Sequence, residues 1–108
     1  MATPDDLIRP ALQKLGVVSA GQPIAAEDSA VVRDSIPGKL EELNQRGLGY
    51  YEYEFGQQYV EWLAILVAQG VALEFGASID ANSIALAEQR LRQMQPIYDS
   101  TTLRMVPF

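Results

Sequence analysis

QQYVEWLAILVAQGVALEF, residues 57–75, is apolar on nearly every side of a helical projection, and this property decides the fold. A helix with one apolar stripe lies on a surface, whereas one without a polar face must be surrounded by other helices. The segment therefore predicts a central helix, with Trp62, Leu66 and Leu73 in the core. Gly70, in its middle, costs about 1 kcal/mol relative to Ala, which close approach of a neighbouring helix would offset. The longest uninterrupted apolar run, WLAILVA (62–68), is far short of the ~20 residues that cross a bilayer, so no membrane span is expected.

The flanking segments supply the neighbours. TPDDLIRPALQKLG (3–16) opens as a helix, with Thr3 as N-cap, Pro4 at the first position, and Asp5 and Asp6 in the first turn against the positive dipole end. Leu7, Ile8, Ala11, Leu12 and Leu15 share one face, and Gly16 closes the helix. Pro10 lacks a donor and crowds the carbonyl of Asp6, which predicts a kink or a late start. After a loop, VVSAGQPIA, a second helical pattern runs from Ala26 to Arg46 with Val32, Ile36, Leu40 and Leu43 in register. Pro37-Gly38 interrupts it, so the expectation is a sharply bent helix or two short ones, ended by Gly47. Beyond the central helix, Gly76 ends one element and Asp80 starts the last. That helix carries a narrow stripe of Ile84, Ala87, Leu91 and Met94 and stops at Gln95, ahead of Pro96.

The expected architecture is all-α: a bundle of four to five helices with short loops over residues 1–95 and an extended C-terminal arm over 96–108. With 48% hydrophobic and 20% charged residues in 108, the composition is that of one globular domain. The chain has neither cysteine nor histidine, which removes disulfides, the usual metal ligands and the familiar nucleophile–base pairs, so no metal, cofactor or enzymatic activity is expected. A net charge of −6 argues against a nucleic-acid-binding module. The charge is uneven, with eight acids and one base, Arg46, between Glu41 and Glu88, against three arginines and one aspartate from Arg90 to Phe108. MATPDDLIRP carries two acids where a secretory n-region would be basic, so no signal peptide is expected.

Two segments hold the candidate functional residues. In GLGYYEYEFGQ (47–57), Tyr51, Tyr53 and Phe55 alternate with Glu52 and Glu54, a period of two that suits a loop with extended character, aromatic on one side and acidic on the other. Glu52 and Glu54 resemble a hydrolytic carboxylate pair only superficially. Residues two apart on an extended segment lie about 6 to 7 Å apart on one face, and nothing predicts that either is desolvated. A solvated or oligomer-facing acidic side is the better reading, while the aromatic side suits core or interface equally. Arg90 and Arg92 read as a solvated helix face or as contacts to a partner's carboxylates. The second segment is PIYDSTTLRMVPF (96–108), where Ile97, Tyr98, Leu103, Arg104, Met105, Val106, Pro107 and Phe108 make an apolar arm bounded by prolines. Ordering thirteen backbones costs more than burying its few apolar side chains returns, so the arm is expected to need a partner.

Residues 5–50, DDLIRPALQKLGVVSAGQPIAAEDSAVVRDSIPGKLEELNQRGLGY, resemble the amino-terminal half of phage head–tail connector (adaptor) proteins, a group that includes the tail accessory factor of short-tailed phages. The likeness rests on Leu7, Ile8, Ala11, Leu12, Leu15, Gly16 and Val17, then Glu27 and Asp28, then Leu40 and Leu43; it continues in a helix pair joined at Phe75-Gly76. The resemblance implies a virion protein made in the host cytoplasm. It would assemble as a dodecameric ring of neighbouring copies at the head–tail interface, bind the portal through its carboxy-terminal arm, and give a tail or nozzle protein its docking surface. It would also extend the DNA channel and help to retain packaged DNA without sequence-specific binding. Pro10, Pro37-Gly38 and the absence of Ser or Thr at the start of the second helix depart from that pattern. The runner-up reading is a small cytosolic helical binding module whose tail docks on one partner without forming a ring.

Overall fold

The computed structural model describes residues 1–95, in which four α-helices, α1 Ile8–Lys14, α2 Ala26–Gln45, α3 Val60–Val71 and α4 Ala81–Gln93, form a bundle. Helix α3 is the centre. It packs against α1, α2 and α4, and an unbroken run from Leu63 to Ala68 is buried, as a helix without a polar face requires. Short 3-10 turns extend α3 on both sides, Gln57–Tyr59 before it and Ala72–Phe75 after it.

These turns correct one core assignment. Leu73 is 93% exposed rather than buried. The change from 3.6 to three residues per turn at Ala72 breaks the register that the helical pattern carried through Val71. Trp62 is half-buried against the core, and Leu66 is fully buried. Gly70 also departs from expectation, because it is exposed and a Cβ there would meet only the Lys39 side chain, at 3.4 Å. No close helix approach accounts for that glycine.

The first helix starts late. Residues Pro4–Leu7 make a 3-10 turn, and the Asp6 carboxylate accepts the Thr3 backbone N–H at 2.8 Å, the returning half of a capping box. Because α1 begins at Ile8, Pro10 falls in its first turn, where a missing N–H leaves no bond unmade. The helix ends on Gly16 (φ 76°), with the Val17 N–H donating to the Leu12 carbonyl at 3.0 Å and the Gly16 N–H to Gln13 at 3.1 Å. The same arrangement at Gly47 (φ 75°) turns the chain off α2 and buries Leu48.

Helix α2 is continuous through Pro37-Gly38, neither broken in two nor interrupted. The reason lies in the faces. Val32, Ile36, Leu40 and Leu43 are all buried, whereas Pro37 and Gly38 face solvent. Four packed side chains hold the helix where its own propensity is poor, and the Arg33 carbonyl, which loses its donor at Pro37, lies on the exposed side. Pro37→Ala restores that donor and should raise the unfolding free energy by about 1 to 2 kcal/mol in urea titrations. An unchanged midpoint would mean that the missing bond costs nothing here.

Helix α4 is capped by Asp80, whose carboxylate accepts the Ser83 N–H at 3.1 Å, and it ends at Gln93, two residues before the expected stop. Ala87 and Leu91 are buried, with Ile84 and Met94 packed partly against the core. Ion pairs fasten the helices at their rims. Lys14 on α1 pairs with Glu61 on α3, and Arg46 beyond α2 pairs with Glu88 on α4 at 3.0 Å. The hydrogen bond from Arg46 to Glu88 holds the guanidinium above its ordinary pKa. Such exposed pairs each contribute about 0 to 1 kcal/mol, so packing carries the stability. The arm, residues 96–108, lies outside the described residues.

Candidate functional site

The loop between α2 and α3, residues 48–56, is organised by Tyr51. Its N–H donates to the Asn44 side-chain oxygen at 3.1 Å, and its hydroxyl donates to the Leu48 carbonyl at 2.8 Å, folding the ring back over Gly49. Gly49 (φ 132°) is needed there, because a Cβ at that position would sit 2.3 Å from the Tyr51 hydroxyl oxygen. The Tyr51 ring meets Phe55 and Tyr59 edge-on, with centroids 6.0 and 5.4 Å apart. Phe55 is pinned in turn by an isolated antiparallel bridge to Ala2, with hydrogen bonds of 2.8 and 2.9 Å.

The two-residue alternation expected of this loop is not what forms. Tyr51 and Phe55 are buried, whereas Tyr53 is 83% exposed and lies on no common face with them. A bend at Glu52-Tyr53 breaks the extended path, so the buried aromatics recur every four residues, at Tyr51, Phe55 and partly Tyr59. Tyr50, which the alternation left out, is 72% exposed, and its hydroxyl donates to Glu52 at 2.5 Å. That hydrogen bond raises the Tyr50 pKa above its ordinary value.

Between this loop and α2 lies a groove of about 440 Å³. Ile36, Leu40 and Tyr51, all buried, form its apolar floor, and the exposed Tyr50 and Tyr53 stand at its rim. Its charged lining is Asp5, Arg33, Glu41 and Glu52, with Arg33 paired to Asp5 at 3.6 Å. Of the residues singled out in the sequence, Tyr51, Tyr53 and Glu52 line this groove; Glu54 is exposed and does not. Arg90 and Arg92 are exposed on α4, apart from the groove lining, and the Arg90 guanidinium sits 5.9 Å from the Trp62 ring centroid, a cation–π contact. The arm residues from Ile97 to Phe108 fall outside the described part.

Among the described residues no polar or charged side chain is buried, and no cluster of three or more metal-ligating side chains occurs. Glu52 and Glu54 are both exposed, so neither carboxylate sits in a buried setting. No helix among the described residues is long and apolar enough to cross a membrane. Neither a known protein family, nor a curated protein, nor a solved structure matches the chain.

Burial pushes the Tyr51 hydroxyl up to about 12, against a smaller lowering by the Gln95 side chain, which donates to it at 3.1 Å. A phenol whose acidity is weakened by folding binds its proton more tightly in the native state. Its contribution is therefore fully present below pH 10, the unfolded value, and is lost as the pH rises towards 12. Discounted for solvent screening, this should amount to about 1 to 2 kcal/mol. The measurement is the difference in urea stability between the parent chain and Tyr51→Phe, which should shrink between pH 9 and 11.5; a constant difference would show that the hydroxyl is not desolvated.

Proposed function

We propose that the chain is a structural virion protein, a head–tail connector that forms a ring under the portal, extends the DNA channel and presents a docking surface to the tail. The observation that carries this reading is the order of the elements. A short first helix closed by Gly16-Val17 leads through a loop to a long helix with Leu40 and Leu43 on its buried face; two further helices follow, joined through a connection that contains Phe75-Gly76, in the order of parts that the family resemblance implies. The electrostatics support it. Seven of the eight acids between Glu41 and Glu88 are exposed, and a ring that repeats such a surface repels DNA and lets it slide. The arm beyond Gln95 supplies the portal contact through Leu103, Arg104, Met105, Val106, Pro107 and Phe108, and many arms engaging together make a weak individual grip sufficient.

The test mixes purified portal with the full chain and with a chain truncated after Gln95, which keeps every residue of the described core. The full chain should give rings on the portal in negative-stain images, and truncation should abolish them. Equal decoration by both chains would remove the arm from the contact. Binding of the full chain as single copies, with no ring, would instead favour a helical module docking on one partner, a reading to which the groove beside α2 also lends itself.

A further inference from the structure

We propose that the groove between α2 and the Tyr50–Tyr53 loop is the docking site for the chain's own segment Leu103–Phe108, held in the same molecule. Three observations carry this. First, the path of the chain starts there: Gln95, the last described residue, hydrogen-bonds through its side-chain amide to the hydroxyl of Tyr51, a groove-lining residue, at 3.1 Å. The described chain therefore ends one side chain away from a residue of the groove floor.

Second, the reach is sufficient. The groove follows α2 from Arg33 to Asn44, about 17 Å at the helical rise. The seven residues 96–102 span up to about 23 to 25 Å when extended, so they can carry Leu103 to either end of the groove. Its second half, Asp99, Ser100, Thr101 and Thr102, is polar and separates Ile97 and Tyr98 from the apolar segment that begins at Leu103.

Third, the surfaces correspond. Leu103, Met105, Val106 and Phe108 are offered to a floor of Ile36 and Leu40 with two exposed tyrosines at its rim. The single base of the segment, Arg104, corresponds to Glu41 and Glu52, which form no salt bridge among the described residues, whereas Arg33 is already engaged by Asp5. Fixing six residues rather than thirteen cuts the ordering cost by about half, which removes much of the objection to the arm settling on its own domain. Because the tether makes docking intramolecular, a weak contact is enough to populate it. The segment is then stored on the groove and released when a tighter partner takes it. This inference does not depend on the connector reading, and its test contains no portal.

The chain has no cysteine, so Thr102→Cys gives a single attachment point for a nitroxide label in the full-length protein. Docking in the same molecule should reduce the amide signals of Glu41, Asn44 and Tyr53 at least about twofold relative to the reduced label, with no change on dilution into unlabelled protein. Phe108→Asp in the arm and Glu41→Lys on the exposed side of α2 should each restore those signals; Glu41 is exposed, and unchanged amide signals from α3 in both variants check that the fold is kept. Full-intensity groove signals in the labelled protein would overturn the proposal. So would signal loss seen only when label and isotope are on different molecules, which would assign the groove to a second copy.

Discussion

Leu63→Ala should destabilise the domain by about 3 to 5 kcal/mol, the upper range for deletion of a buried leucine. The residue is fully buried on α3, the helix against which α1, α2 and α4 all pack, so the hole opens in the central helix of the bundle. Since small domains hold only about 5 to 15 kcal/mol in total, the variant should lose much of its margin, with its urea midpoint falling and the slope unchanged. A loss below about 1.5 kcal/mol would mean that the core repacks freely, and the picture of one helix ringed by three would need revision.

Phe55→Ala should cost a comparable amount, about 3 to 5 kcal/mol, by a different route. The ring is buried and meets Tyr51 edge-on, while its backbone holds Ala2 through two hydrogen bonds. Losing the ring leaves Tyr59 as the one aromatic ring edge-on to Tyr51 among the described residues and frees the chain that carries Tyr50 and Tyr53, so the groove should lose definition together with the amino-terminal bridge. Hydrogen exchange separates this from a general loss of stability. The Ala2 amide should exchange faster than the α3 amides by more than the global change accounts for. Equal acceleration at both would show that the loop, the bridge and the core open as one unit.

Much of the fold was legible because apolar periodicity and capping act locally. The all-round apolar character of 57–75 identified the central helix, and Gly16, Gly47, Gly76 and Asp80 marked real boundaries. The failures have equally specific causes. Leu73 continued an apolar pattern, but the pattern does not report the tightening to a 3-10 turn that rotates it outward. Pro37-Gly38 read as a sharp bend or as a division into two helices, and the division does not occur, because propensity is local whereas the packing of Ile36 and Leu40 that overrides it comes from helices distant in the chain. The alternation of Tyr51, Tyr53 and Phe55 was genuine in the sequence. Hydrogen bonds from Tyr51 to Leu48 and from Gln95 to Tyr51 redirect the loop, and the second spans 44 positions. The groove was therefore the least legible feature, since one wall is a helix face that reads as core and the other is a loop whose path depends on the end of α4.

Helix α2, the longest of the described helices, is nevertheless poorly able to exist alone. Its N-cap, Ala25, has no side-chain oxygen to accept a first-turn N–H, its centre lacks a backbone donor at Pro37, and Gly38 follows at once. Order in α2 is thus borrowed from its neighbours, and its helicity reports whether the whole domain is assembled. The wall of the groove is made of this borrowed helix, so the groove exists only in the complete fold; a partly unfolded chain, or one still emerging from synthesis, has no such surface to offer to the wrong segment.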